Sequence, residues 1–395
     1  MSEHAAYPWA VDDPEPTTLV ALWPGDTPPM MTEITAALAA LLGDTVTVVD
    51  EGSTADPAML WSAIVELPGV ETELALWSEP AVELAPGELQ DPAADACRWI
   101  VGFNTVLDPA DPLAHYTLLM RLLGGIWDEI PAVLDVNSER WYPRAALDAT
   151  FDADHEPTAA VLWIVHVNEP ADGAGAARIR THGLFRCGLP ELDMPEVPVA
   201  LVRAGVELLD TIAGRMLEMM LPPPGEPFAV GPDLDVTFEL RHDQDPDDPS
   251  IDVVIAVVRS EAVLERIAAG DGAYFLSSHE TDRLASQARA AWPALKAVPV
   301  PAVQVLLKAG LKSDGTENDR EHLWFSVLRF QDDRAEVELL HEPMSVAMKP
   351  GDVVWIERDS VSDWTVVTPQ GRFGPAQADE MTRVVATLDN GPGQT

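Results

Sequence analysis

The residues best suited to chemistry lie in one stretch of the chain, from Lys308 to Trp364. Three clusters punctuate it: Glu321-His322-Leu323-Trp324, Glu342-Pro343 and Ser362-Asp363-Trp364. Carboxylates, an imidazole and indole rings at these positions could line a groove that grips a peptide or a small ligand. The structural alternative is that the tryptophans fill the core of a small β-module and the acidic side chains fasten its turns. The binding candidates are Glu321, His322, Trp324, Asp363 and Trp364.

Earlier in the chain, histidine and cysteine side chains could bind a metal, transfer protons or act as a nucleophile. His166 lies in the apolar run Ala159–Val167, where a core histidine bonded to backbone is a simpler interpretation than a ligand. His182 and Cys187 could both bind zinc, but a zinc site needs two more ligands, and no obvious pair supplies them. Cys97 could act as a nucleophile only with a histidine close in space. We expect both cysteines to be buried as small hydrophobic residues.

No established motif supplies a reaction. The sequence contains no GxSxG, HExxH, GxGxxG or Walker-type Gly-Lys-Ser/Thr pattern. The acidic segment Asp243–Pro249 could attract calcium, but it lacks the spacing of a calcium loop and fits a solvated hairpin loop better. We therefore assign no catalytic residue, no metal ligand and no cofactor. An enzyme with a non-motif active site in the N-terminal domain is kept as an alternative.

The elements that must position these groups follow from the apolar periodicity. Thr17–Trp23 predicts a strand, the next apolar residues share a helix face, and Thr45–Val49 predicts a second strand. This order opens an α/β or α+β domain. The run Ala159–Val167 predicts a central strand buried on both faces. A Pro-rich stretch after the helix predicted at Val199–Leu221 suggests a sub-boundary at residues 222–230.

The chain is strongly acidic, with 395 residues and a formal net charge of −42. This charge argues against binding to nucleic acid or to an anionic membrane, because both need a basic protein surface. No stretch reaches about 18 uninterrupted apolar residues, and the acidic N-terminus does not look like a signal peptide. We expect a cytoplasmic protein without a membrane span. The acidity has three open interpretations: solubility, adaptation to salt, or a face that docks a basic partner.

The stretch from Lys308 to Trp364 resembles the YegJ-like domain, a bacterial family of unknown function. The resemblance falls on Lys308, on the three clusters, on Gly351-Asp352-Val353 and on a helix predicted at residues 280–297. His341 stands where the family usually has an asparagine. The stretches TAAVLWIVHV and RTHGLFRCGLPELDM resemble a larger uncharacterised bacterial domain that is often fused to this module. Neither resemblance implies an activity, and both imply architecture.

Together these observations predict an α+β protein. Residues 1–16 form a disordered or loosely tethered tail, residues 17–270 an N-terminal domain with a mixed sheet and flanking helices, and residues 273–390 a C-terminal helix with a small, strongly bent β-sheet or barrel. The leading function is non-enzymatic binding of a protein partner, in one version a basic partner neutralised as toxin–immunity proteins do. A scaffold subunit is a further alternative, and it predicts a large apolar surface patch. The oligomeric state is left open.

Overall fold

The chain divides into two compact units, Met1–Ser277 and Ser278–Thr395. The structure is a computed structural model that describes residues 7–52, 59–81, 89, 91–151, 156–170, 175–244, 252–269, 275–300, 303–312, 320–343 and 345–389. The second unit has an apolar core of its own, built from residues between Ala288 and Val385.

The first seven strands form one antiparallel sheet. They are β1 Thr17–Trp23, β2 Thr47–Gly52, β3 Trp61–Glu66, β4 Leu74–Pro80, β5 Trp99–Thr105, β6 Ala132–Asp135 and β7 Arg140–Pro143. Their order across the sheet is β2-β3-β4-β5-β1-β6-β7. The predicted strand–helix–strand opening is therefore present, but its two strands lie apart in the sheet, with β2 at the edge.

Four helices in the described part of the chain accompany this sheet. They are α1 Met31–Leu42, α2 Pro92–Asp95, α3 Pro112–Gly125 and α4 Arg144–Phe151. The carboxylate of Asp111 accepts the Ala114 N–H at 2.9 Å and so satisfies a free donor at the start of α3. Helix α3 buries Tyr116, Leu119 and Leu123 in the main apolar core of the unit, which fixes the helix against the sheet.

The second sheet of this unit has six strands, and two helices accompany it. They are β8 Ile164–Asn168, β9 Ala176–His182, β10 Glu191–Pro198, α5 Val202–Met216, β11 Phe228–Gly231, β12 Leu234–Gln244, β13 Asp252–Arg259 and α6 Glu261–Ala268. The order is β11-β12-β13-β10-β9-β8. Strands β10 and β13 are parallel and the other neighbours are antiparallel, so this sheet is mixed. The predicted single mixed sheet is thus two sheets, one antiparallel and one mixed.

The apolar run Ala159–Val167 does not form the predicted central strand. Its first residues, Ala159–Val161, form a short 3-10 helix, and Leu162 and Trp163 enter the core from the turn that follows. Strand β8 then lies at the edge of the second sheet, and its last three residues are exposed. The prediction was wrong because the apolar run is not one strand. It combines a buried turn with an edge strand.

The N-terminal segment is packed where the structure describes it. The side chain of Trp9 is 1% exposed, and its indole N–H donates to the carbonyl of Pro222 at 2.8 Å. The hydroxyl of Tyr7 donates to the carbonyl of Leu221. The predicted loose tail is therefore wrong for these residues, because two aromatic side chains anchor the segment; residues 1–6 lie outside the described ones.

The second unit consists of helices and one open antiparallel sheet. Its elements are α7 Ser278–Ala290, α8 Trp292–Lys296, β14 Gln304–Lys312, β15 Arg320–Gln331, β16 Arg334–Leu339, β17 Val353–Glu357, β18 Val361–Thr368, β19 Gly371–Phe373 and α9 Ala378–Asp389. The strand order is β17-β16-β15-β14-β18-β19. The sheet is not closed, so the barrel alternative is wrong, and the α+β class is confirmed. No helix in the described ranges is long and apolar enough to cross a membrane.

Candidate functional site

One face of the C-terminal sheet brings four side chains together. Lys308 of β14 lies opposite Trp324 of β15 on one side and Asp363 of β18 on the other. Side chains alternate between the faces of a strand, and the residues on either side of these three in sequence are buried, whereas the three are partly exposed. They form a row across three strands on the face turned away from the core. With His322, two residues before Trp324, they make up the outer-face patch.

The row combines two opposite charges and an aromatic ring. The ammonium nitrogen of Lys308 lies 5.9 Å from the ring centroid of Trp324, within reach of a cation–π interaction. Burial raises the pKa of Asp363, and the Trp364 N–H and Lys308 act in the opposite direction. The Trp364 N–H donates to Oδ1 of Asp363 at 2.7 Å. The carboxylate is thereby fixed beside the ammonium group while both remain partly exposed.

The imidazole of His322 is held from two sides. Its Nδ1 lies 2.8 Å from the hydroxyl oxygen of Ser362, which is also 3.4 Å from the carbonyl oxygen of Lys308. If that hydroxyl donates to the carbonyl, Nδ1–H donates to the hydroxyl and Nε2 is left as an acceptor. On the neighbouring strand Gly310 faces the ring, where a β-carbon would lie 3.1 Å from Cε1. The glycine therefore makes room for the ring.

Burial also sets the charge of this histidine. It lowers the pKa of His322, and the positive charges of Lys308 and Arg320 lower it further, whereas Asp282 acts in the opposite direction. A neutral imidazole follows at neutral pH. The patch thus offers one cation, one anion, one aromatic face and one neutral hydrogen-bonding ring.

The other two candidate residues have structural roles. Trp364 is 0% exposed, packs in the core and donates its indole N–H to the carbonyl of Ala288 at 3.2 Å. It belongs to the core, as the structural alternative expected, and is not part of the patch. The carboxylate of Glu321 accepts the Ser345 N–H at 2.8 Å and the Ser345 hydroxyl at 2.9 Å. Glu321 therefore fastens the loop that follows β16.

The sequence prediction missed three residues of this site. Lys308 contributed to the family resemblance but not to the list of candidates, and neither Ser362 nor Gly310 was chosen. The alternation of Leu307, Lys308 and Ala309 could have placed the lysine on the outer face. The contacts of Ser362 and Gly310 with His322 could not be predicted, because they depend on the register of three strands.

The candidate metal or acid–base residues of the first unit do not converge on a pocket. His166 and His182 are both exposed, and their ring centroids lie 5.9 Å apart near the sheet edge. The prediction of a core histidine was wrong, because β8 is an edge strand and not a central one. Within the described ranges, no three His, Cys, Asp or Glu side chains are grouped to hold a metal ion. Most of the acidic segment Asp243–Pro249, residues 245–249, lies outside those ranges.

The predicted burial holds for Cys187, which lines an apolar cavity. It is 7% exposed, and burial raises the pKa of its thiol to about 12. The cavity has a volume of about 580 Å³, and Glu218 is the one carboxylate among its described lining residues, which include no histidine. Cys97 is partly exposed instead of fully buried. Neither cysteine has the depressed pKa that a nucleophilic thiol needs.

Comparison with known proteins finds one family domain in the C-terminal part of the chain. Residues 287–387 match the family described as "Uncharacterized protein conserved in bacteria (DUF2314)". A domain of this bacterial family, of unknown function, therefore occupies that segment, which includes the whole outer-face patch. No curated protein and no solved structure matches the chain.

Proposed function

We propose that the protein is a non-enzymatic binding protein, and that its C-terminal unit contacts a protein partner through the outer-face patch. The observation that carries this proposal is the row Asp363–Lys308–Trp324, which holds two charges and an indole ring together on the face of the sheet away from the core. The structural alternative explains Trp364, which fills the core, and Glu321, which bonds to a loop residue. It does not explain why these three side chains lie together on the outer face. Tryptophan is enriched among the residues that carry most of the binding energy of an interface.

The chemistry of the patch favours a segment of a protein over a purely apolar ligand. The carboxylate and the ammonium group can each form a charge-assisted hydrogen bond, and the imidazole can accept or donate one. The ring of Trp324 offers apolar area next to them. A peptide segment with polar groups on both sides of an apolar side chain matches this combination of polar groups and an aromatic ring.

The test is affinity capture from a bacterial lysate with three versions of the full chain. Trp324→Ala removes the ring of the patch, and Trp355→Ala is the matched control, because Trp355 is also partly exposed and contacts Arg329 and Arg334. A partner retained by the wild type and by Trp355→Ala, but lost with Trp324→Ala, supports the proposal. Capture of no partner, or equal capture by all three versions, overturns it.

A second proposal concerns the chemistry of the partner, which we infer to be basic, as in toxin–immunity pairs. Residues 278–395 contain 12 Lys and Arg against 18 Asp and Glu, which leaves −36 of the net charge of −42 to residues 1–277. Such a concentration of negative charge attracts cationic proteins and speeds their association. Retention of the captured partner should fall steeply as salt is raised. A partner that is acidic, or whose retention does not change with salt, contradicts this inference.

The alternatives receive less support. The enzyme alternative needs acid–base groups that converge, and His166, His182 and Cys187 do not. Ser362 and His322 are in contact, as a nucleophile and its general base would be. However, Ser362 is 5% exposed and its hydroxyl also contacts the Lys308 carbonyl. We interpret it as a positioning contact. We also propose the resemblance to the YegJ-like family, the uncharacterised domain fused to it, the predicted limits of the two main domains and the cytoplasmic location.

A further inference from the structure

Strand β2 is an edge strand with nothing paired to its outer side among the described residues. All six of its residues, from Thr47 to Gly52, are exposed. Val48 and Val49 are 37% and 50% exposed, so β2 presents apolar side chains to solvent. Because β2 is paired on one side only among the described residues, backbone donors and acceptors on its outer side are available to a further strand, although a register shift between Val48 and Asp50 interrupts its regular pairing.

A groove opens beside this strand. Its volume is about 750 Å³, and its lining includes Met30, Glu33, Glu51, Leu60 and Trp61. Met30 and Leu60 are 56% and 42% exposed, so the groove offers apolar surface to solvent. The Trp61 indole N–H donates to the carbonyl of Pro29 at 2.8 Å, which fixes one wall. A sheet edge next to an apolar groove is the arrangement that binds extended peptides by strand addition.

The part of the sequence that contains this surface carries charge of one sign. Residues 1–97, which include α1, α2 and β1 to β4, contain 18 Asp and Glu but no Lys or Arg. Asp50 and Glu51 lie on β2 itself, and Glu33 lies at the groove. A second copy of this strand would bring the same carboxylates face to face, which opposes self-pairing. The complementary occupant is cationic.

We propose that β2 and the adjacent groove dock an extended segment of a basic protein, in which apolar residues alternate with lysine or arginine. The segment adds to the free edge of β2 through backbone hydrogen bonds, its cationic side chains contact Asp50 and Glu51, and an apolar side chain enters the groove. This inference rests on the proposed basic partner and names the surface that receives it. Its test does not involve the outer-face patch, which the first proposal assigns to the C-terminal unit.

The test uses the full-length protein and a labelled synthetic peptide of alternating lysine and valine, at about physiological salt. Fluorescence anisotropy measures the affinity. A second peptide carries N-methyl groups on alternate amides, which keeps its charge but removes the donors needed for strand addition. A third peptide replaces lysine with glutamate. We expect the first peptide to bind, and the other two to bind about tenfold more weakly or worse.

Two charge reversals in the protein locate the surface. Asp50→Lys with Glu51→Lys should weaken binding of the lysine–valine peptide about tenfold or more. The control is Glu71→Lys with Glu73→Lys, which makes the same change in net charge on exposed residues between β3 and β4. Circular dichroism checks that both variants are folded. The control should bind the peptide more tightly than the variant on β2.

The outcomes separate the two proposals. If the peptide binds but N-methylation has no effect, or both charge variants weaken binding equally, the strand-addition surface is overturned and the basic partner survives. If no cationic peptide binds, this inference is overturned, and only the salt dependence of captured partners still bears on the basic partner. A dimer of the free protein that Asp50→Lys with Glu51→Lys dissociates assigns the surface to a second copy and also overturns the inference.

Discussion

At the scale of single residues, burial is the largest cause of the pKa shifts of three ionisable groups. His322 is kept neutral beside two cations, Asp363 has a raised pKa, and Cys187 is kept as a thiol. In each case desolvation acts against the charged form of the side chain. These groups are suited to hydrogen bonding and packing, which agrees with a binding protein.

The pH dependence of stability should reveal His322. Because its pKa is lowered by folding, the unfolded chain binds more protons once pH falls below the ordinary histidine value of about 6.5. Stability is therefore complete above that value and falls as pH decreases toward the pKa of the folded state. Urea unfolding of His322→Gln should show a smaller loss over this range than the wild type. His341→Gln, on an exposed histidine, is the control, and an equal effect of both changes contradicts the account.

The two cysteines should differ in alkylation by iodoacetamide. In a Cys97→Ser variant only Cys187 can react, and its thiol pKa of about 12 leaves little thiolate at about pH 8. In a Cys187→Ser variant only the partly exposed Cys97 can react. We expect Cys187 to react slower by about tenfold or more in the folded protein, and the difference to shrink in urea. Equal rates in the folded protein are inconsistent with the burial of Cys187.

At the scale of elements, a buried ion pair joins the two sheets of the first unit. Arg186, which follows β9, donates two hydrogen bonds of 2.8 and 2.9 Å to Asp135 at the end of β6, and both side chains are 0% exposed. Tyr116 and Ser138 also donate to this carboxylate, and Leu162 accepts from the guanidinium. Burial alone would raise the pKa of Asp135, but Arg186 and these bonds hold it below its usual value.

Removal of one partner of this pair should be costly. Arg186→Met leaves the Asp135 carboxylate buried without its counter-ion, which should cost about 3–5 kcal/mol of unfolding free energy. Arg203→Met is the control, because Arg203 pairs with Glu207 on an exposed helix face and should cost less than about 1 kcal/mol. Urea denaturation measures both. Similar losses in the two variants contradict the structural role of the pair.

Some of the strands could be predicted from the sequence alone, and others could not. Local alternation predicted the C-terminal strands and the α+β class, because a strand with one buried face repeats every two residues. It did not separate Trp324 from Trp364, because pairing with β14 decides which face of each strand meets the core. The contact between Arg186 and Asp135 spans 51 residues and leaves no local pattern. The length and hydrophobicity of the run Ala159–Val167 predicted a central strand, because an apolar turn cannot be told from a buried strand by these two properties. Strand β8 lies at the sheet edge instead.

At the scale of the whole molecule, most of the negative charge and the matched family domain lie in different units. The first unit carries most of the negative charge and the acidic edge strand, and the second contains the family domain and the outer-face patch. Neither feature needs a catalytic group. A binding protein with two separate surfaces accounts for both, and each surface can be tested without disturbing the other.

Oxidative footprinting of side chains in the captured complex shows whether the partner covers the outer-face patch. Hydroxyl radicals label exposed tryptophan and histidine, and mass spectrometry measures the labelling with and without the partner. We predict that labelling of Trp324 and His322 falls several-fold in the complex while labelling of Trp355 stays constant. Unchanged labelling of Trp324 in a stable complex contradicts the claim that the outer-face patch binds the partner.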